Sequence, residues 1–246
     1  MSFRAISSLA VILISLYLPA AVAADLRISL PQTLASETNG VWYKLSRAIA
    51  REWKEGKVIF LTAANFEKSI EDVTTGKADV HFPLMQSPAR AEEELPFRYS
   101  SFTTSETPFV LFVLQGSDLV ERNNLTIAKL SKRRIETDMA HAGLFFSSLH
   151  GVESIEVGLQ RVSAGQSDGF LYSARPAEAA LKRLKLDKLV RVPYRRVQDK
   201  FVLPKGLEGA ELDEKLSLII DRLKDTGEFQ KIMAPKMKEA EMIVSK

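Results

Sequence analysis

A two-lobed α/β fold, each lobe a sheet flanked by helices and the chain crossing between lobes twice, is what this 246-residue sequence predicts. Three observations carry that prediction. The stretch Thr75-Gly76-Lys77-Ala78-Asp79-Val80-His81-Phe82 has an echo 89 residues later in Ala164-Gly165-Gln166-Ser167-Asp168-Gly169-Phe170-Leu171. In each copy a Gly can supply the positive-φ cap of a helix, a small residue and an Asp follow, and the chain enters an apolar strand. Second, short β-type runs alternate with helix-period segments throughout, the pattern of an α/β chain. Third, the strongly apolar run from Phe109 to Leu114 stands between the two copies, where a chain leaving one lobe for another would cross.

In chain order, the first 24 residues carry a basic n-region at Arg4, an apolar core from Leu9 to Leu18, and small residues before Asp25. They read as a cleaved secretory signal peptide, too short an apolar run for a membrane span. Strand-like runs follow at Leu26 to Leu30, Val58 to Leu61 and Val80 to Phe82, with Trp42, Leu45, Ile49 and Trp53 on one helical face and Ile70 and Val73 on another. After the Phe109 to Leu114 run, the chain passes through Arg134 to Thr137 into a helix-like Ala142 to Leu149, then the second echo. Leu189 to Val192 and Phe201 to Leu203 read as returning strands, and Leu212, Leu216, Ile219, Ile220 and Leu223 as the apolar face of a C-terminal helix. The expected division is 25–111 with 200–246 for lobe one and 112–199 for lobe two.

Composition excludes several chemistries. With no Cys, disulfides, thiolate metal sites, Cys nucleophiles and a lipid-anchor Cys are all ruled out. Without Arg4 the net charge falls from +3 to +2, with signs alternating as in Arg90-Ala91-Glu92-Glu93-Glu94 and no long basic block, which argues against a nucleic-acid partner. No second apolar run approaches spanning length, so no membrane insertion of the mature chain is expected. The three histidines, His81, His141 and His150, have no metal-site spacing, and no Gly-x-Ser-x-Gly elbow occurs. No cofactor is expected.

Gly76-Lys77-Ala78-Asp79, then Ser87-Pro88-Ala89-Arg90, Leu95-Pro96-Phe97, Tyr99, the Phe109 to Gln115 strand and Gly227-Glu228-Phe229-Gln230-Lys231-Ile232 follow one another in a recognisable order. Behind a signal peptide, this series resembles family 3 of the bacterial extracellular solute-binding proteins, the polar amino-acid receptors of ABC importers. The resemblance implies the type II periplasmic-binding-protein fold, closing around a ligand by hinge bending, in a monomer.

It also implies a set of ligand-binding residues. Arg90 matches the family Arg that grips a ligand carboxylate, a role suited to a planar guanidinium; its other reading is a surface Arg paired with Glu92, Glu93 or Glu94. Phe66 matches an aromatic residue that stacks on the ligand, and reads equally as an ordinary core Phe. Phe82, Pro83, Leu84 and Met85 fall where the family presents backbone groups and hydroxyls. Met139, Ala140 and His141 match a segment whose amides bind carboxylate at a helix N-terminus. Tyr172, Ser173 and Arg175 complete the pocket.

Departures from the family pattern matter to the ligand. The stretch from Asp79 to Arg90 is one residue shorter than in the amino-acid receptors, Pro83 and Met85 replace small or hydroxyl residues, and Ser173 and Pro31 stand where acids are expected. An α-ammonium buried without its carboxylate is costly, so the mixture favours an anionic or aromatic, amine-poor solute. The expected role is a periplasmic solute-binding protein, not an enzyme, delivering to an inner-membrane ABC permease. Two alternatives stay open: a periplasmic ligand-sensing receptor without a dedicated permease, and a dehydratase-type enzyme using His141 beside Glu178.

Overall fold

The computed structural model describes residues 24–121 and 125–241; the expected leader lies outside them apart from Ala24. Strand β1 (Leu26–Pro31) runs parallel between β2 (Val58–Ala63) and β3 (Val80–Met85). Along β1 the alternation required of a strand sends Leu26, Ile28 and Leu30 to one face, where they meet Trp42, Leu45 and Ile49 of α2 (Val41–Glu52). A short α1 (Gln32–Ala35) precedes α2, and α3 (Phe66–Thr74) covers the opposite face, its first turn capped by the Asn65 side chain, which accepts from the Lys68 amide at 2.8 Å.

The second parallel unit has the same plan. Strand β6 (Ile135–Asp138) lies between β7 (His150–Val152) and β8 (Gly169–Ser173), with α4 (Ile127–Leu130), α5 (Ile155–Ser163) and α6 (Ala174–Leu184) around it. The echo seen in the sequence is structural. Gly76 and Gly165 sit at φ 73° and 69°, and their amides donate to Val73 O at 3.1 Å and Val162 O at 3.0 Å, ending α3 and α5. The Asp79 amide then donates to Arg27 O and the Asp168 amide to Arg134 O, both at 2.9 Å. Each carboxylate answers the same partner, since Asp79 Oδ2 accepts from the Arg27 amide at 2.6 Å and Asp168 Oδ2 from the Arg134 amide at 2.8 Å. A short Gly-x-x-Asp segment therefore clasps each central strand, β1 and β6, at its start.

Two long strands join the units. Strand β5 (Ser105–Leu114) pairs antiparallel with β9 (Leu189–Leu203) from Ser105↔Asp199 to Leu114↔Leu189. The far end of β9 pairs with β3 and with β4 (Arg98–Tyr99), whereas β5 pairs with β8, so one sheet runs β2-β1-β3-β9-β5-β8-β6-β7. The apolar run of β5 is explained by burial on both faces. Phe109, Leu111 and Val113 pack with Leu130, Ile135 and Phe145, while Val110 and Phe112 pack with Leu159, Val162 and Phe170. Helices α7 (Leu207–Asp225) and α8 (Glu228–Glu241) return to the first unit, where Leu216, Ile219, Ile220, Phe229 and Met233 close its core. The fold is thus α/β and two-lobed, each lobe a sheet flanked by helices, with two crossings.

Two sequence expectations need correction. Ala142 to Leu149 is not a helix: a single 3-10 turn at Met139–His141 is followed by turns. Gly143, at φ 73°, leaves the right-handed region and stops propagation, and the neighbours Phe145 and Phe146 are both buried in the core of the second unit, which one face of a helix would not allow. The runs at Leu189 to Val192 and Phe201 to Leu203 are the two ends of the single strand β9, because the polar residues between them stay paired to β5.

Candidate functional site

In sheets of this kind ligands bind outside the carboxyl ends of the parallel strands. Those ends carry Pro31, Met85 and the Asn65-capped start of α3 in the first unit, and Asp138 and Ser173 in the second. The two rims touch. Ser87 Oγ donates to Leu144 O at 2.9 Å, and Met85 packs against the core of the second unit. The expected site residues fall into three places around this contact.

The first is a polar cluster at the ends of β6 and β8. Asp138 caps the 3-10 turn, its Oδ1 accepting from the His141 amide at 3.1 Å and bonding His141 Nδ1 as well. Its Oδ2 accepts from the Tyr172 hydroxyl at 3.1 Å. Burial acts to raise the Asp138 carboxyl, but His141, by hydrogen bond and charge, and Tyr172 together hold it below the usual carboxylate range. Burial first, then the Asp138 charge, push the Tyr172 hydroxyl well above the ordinary phenol value, so it stays a donor. Rings of Phe109 and Tyr172 stand edge-on to His141 at 5.7 and 5.2 Å. Met139, 65% exposed, and exposed Ala140 flank the cluster; with no helix behind them, they have no helix N-terminus to offer an anion. Ser173 leads α6 without making a side-chain cap, and Arg175 is exposed in its first turn.

The second place is the end of β3 under α3. Phe66 is 38% exposed, edge-on to His81 at 5.8 Å, so it is not a core Phe. Beneath it lies a buried polar chain: Ser29 Oγ donates to Asp72 Oδ2 at 3.1 Å, Ser69 Oγ to Ser29 Oγ at 3.0 Å, and Ser69 Oγ meets His81 Nδ1 at 2.7 Å. Burial drives His81 down to about 4, leaving it neutral near pH 7. Phe82 is fully buried, stacked on Phe201 at 4.0 Å, so its ring belongs to the core. Pro83, Leu84 and Met85 are half-buried, and Met85 O accepts from the Tyr99 hydroxyl at 3.3 Å.

The third is a pocket of about 470 Å³ between the 86–90 loop and β9, lined by Gln86, Ser87, Pro88, Arg90, Arg195, Arg196, Val197 and Gln198. Arg90 is not a surface ion-pair residue. Among the described residues no carboxylate pairs with it, and Glu92 Oε1 instead accepts from the Tyr99 amide at 2.9 Å. Arg195 lies over the Tyr194 ring at 5.3 Å, and Arg196 pairs with Glu106 at 3.3 Å. Sequence reasoning missed Asp138, Arg195 and Arg196. An Asp three residues before His141, directly after an apolar strand, is the signal that could have found the first; two adjacent arginines in a strand pattern give none.

No protein-family model matches the chain, and no curated protein does. Solved structures do. A histidine kinase sensor domain described as similar to periplasmic binding proteins is 18% identical with a TM-score of 0.58, covering 88% of this chain and 97% of its own. A substrate-binding protein of an amino acid ABC transporter is 14% identical with a TM-score of 0.55, covering 87% and 100%. The GluR0 ligand-binding core from Nostoc punctiforme, in complex with L-glutamate, is 15% identical with a TM-score of 0.59, covering 86% and 98%. With the two parallel units, the two crossings and near-complete coverage of each neighbour, the fold of this chain is the type II periplasmic-binding-protein fold.

Proposed function

We propose that this chain is a periplasmic solute-binding protein that captures a small anionic solute between its two lobes, closes by bending at the crossings, and delivers to an ABC permease. The observation that carries the reading is Arg90: a guanidinium with no carboxylate partner among the described residues, in a pocket at the junction of the lobes. The similarity to a substrate-binding protein of an amino acid ABC transporter supports the transport role. Cleavage of the leader near Ala24 and a periplasmic location follow from the signal-peptide reading. In this proposal Phe66, Met85, Tyr172 and Ser173 line the cleft on the two rims, and the protein performs no catalytic step. The lobes divide near 105–108 and 197–199, because Phe109 to Leu111 already pack in the second core and Phe201 in the first.

Ser173, in place of a counter-charge for an α-ammonium, argues against ordinary amino acids as ligands. The test is calorimetric titration with simple carboxylates and with amino acids. Arg90→Ala should cost roughly 2 to 4 kcal/mol of carboxylate affinity by leaving the anion unpaired, Ser173→Ala far less. Ser173→Asp should admit amino acids that the natural protein refuses. Tight binding of a common amino acid, undiminished by Arg90→Ala, would refute this reading. A second reading, a ligand-sensing receptor, is favoured by the equally close similarity to a histidine kinase sensor domain.

A further inference from the structure

The Arg90 pocket has two basic walls. One is the loop that leaves β3 after Met85, which brings Arg90 in beside Gln86, Ser87 and Pro88. The other is β9, which contributes Arg195, Arg196 and Gln198. Consecutive residues of a regular strand point to opposite faces, so two adjacent arginines would not ordinarily share one cavity. Here they do. Arg195 and Arg196 stay in register with Phe109 and Pro108, so it is their long side chains that reach one cavity, beside a point where the ladder is irregular: Phe109 faces Arg195 while Val110 faces Pro193, which makes Tyr194 the extra residue of a bulge. A bulge bends its strand and re-aims the side chains next to it, and such bulges recur beside binding sites.

The charges in this cavity are unbalanced. Three guanidiniums line it, and the Glu106 carboxylate is paired with only one of them, Arg196. Among the described residues no carboxylate pairs with Arg90 or Arg195, although Arg195 is held over the Tyr194 ring and so has part of its rotamer freedom removed in advance. A concave site lined by one sign of charge concentrates its field and draws in counter-ions of the opposite sign. One carboxylate can satisfy one guanidinium fork bidentately. Two forks from separate segments call for two.

We propose that the solute is a dianion, a small dicarboxylate whose one carboxylate is held by Arg90 and the other by Arg195 with Arg196. This rests on the reading of Arg90 as the carboxylate anchor and adds to it a second anionic group and the wall that recognises it. The pocket volume of about 470 Å³ lies in the range of small-molecule sites.

The test compares glutarate with pentanoate, equal in carbon number and differing by one carboxylate, by calorimetric titration of the purified protein. Glutarate should bind at least roughly tenfold more tightly, since the second charge-assisted contact exists for it alone. Arg195→Gln should bring glutarate down to the level of pentanoate and leave pentanoate within about twofold; Arg90→Gln should weaken both by roughly tenfold or more. Both residues are exposed, so neither substitution disturbs the core, and an unchanged unfolding midpoint confirms it. Equal affinity for the two acids, or a glutarate preference that survives Arg195→Gln, overturns the two-anion assignment while leaving a single-carboxylate site standing. Failure of both acids to bind the unmodified protein overturns the carboxylate reading itself, and this inference with it.

Discussion

His81 should make this protein lose stability in mild acid, and the size of the loss can be worked out. The imidazole is fully buried between β1 and α3, with Ser69 Oγ at 2.7 Å from Nδ1 and Phe66 edge-on. Burial lowers its folded value from 6.5 to about 4, while the unfolded chain keeps the ordinary value. Above pH 6.5 both states are neutral at this site and it contributes no pH dependence. As pH falls below 6.5 the unfolded state takes up a proton that the folded state refuses, so stability drops until the folded imidazole itself titrates near 4. At about 1.4 kcal/mol per unit, the loss accumulates to about 3 kcal/mol across that window. Asp138 acts in a different window, because a lowered carboxyl loses its contribution only as pH falls past the ordinary carboxylate range. The assay is urea unfolding at pH 7.5, 6.0 and 4.5, followed by tryptophan fluorescence; Trp42 and Trp53 both sit in the core of the lobe that holds His81. His81→Gln keeps a polar group for Ser69 and removes the titration, so its stability should stay nearly flat where the natural protein falls. Parallel losses in the two proteins between pH 7.5 and 4.5 would refute the argument.

Three further outcomes are expected. Asp79→Ala removes the acceptor of the Arg27 amide and of Arg27 Nε at 3.1 Å and should cost about 2 kcal/mol by urea unfolding; Asp168→Ala, whose carboxylate accepts from the Arg134 amide in the corresponding clasp, should cost about 1 kcal/mol. Gly158→Ala places a methyl 2.3 Å from the Phe170 ring inside the second core, so overpacking should lower stability by about 1 to 3 kcal/mol, and an unchanged midpoint would show that α5 can shift freely. Tyr172→Phe strips Asp138 Oδ2 of the Tyr172 hydrogen bond and should cost about 1 kcal/mol while raising the carboxyl toward its usual range, measurable by carbon NMR titration of the Asp138 side chain.

Much of the architecture was legible because it rests on local, repeated chemistry. Gly76 and Gly165 each end a helix, the following Asp returns to a strand's opening amide, and both parts of that device are visible as residues. The β5 run was legible because burial on both faces leaves no polar position to blur it. What misled was burial without periodicity: Phe145, Phe146 and Leu149 fill the core from turns, and an apolar cluster of that length imitates a helix unless the conformation of Gly143 is known. The site was less legible still. The Phe82 ring belongs to the core, Asp138 is one acid among many until Tyr172 and His141 converge on it, and Arg195 and Arg196 look like a solvated face until both are seen to line one cavity.

The ladder joining β5 to β9 also bears on how quickly such a molecule can work. Its ten pairs, from Ser105↔Asp199 to Leu114↔Leu189, make the connection between lobes a hydrogen-bonded ribbon, unlike two loose threads. A ribbon of that kind flexes as a leaf spring: it yields most where its rungs are disturbed, beside Tyr194, and resists everywhere else. In the proposed closure, swinging one lobe against the other would store elastic energy that a bound solute must offset, and the same recoil would return the empty protein to its resting angle. In that motion, stiffening the ribbon by deleting Tyr194 would hinder capture and hasten release, whereas softening it would hold the solute longer after it should have been surrendered.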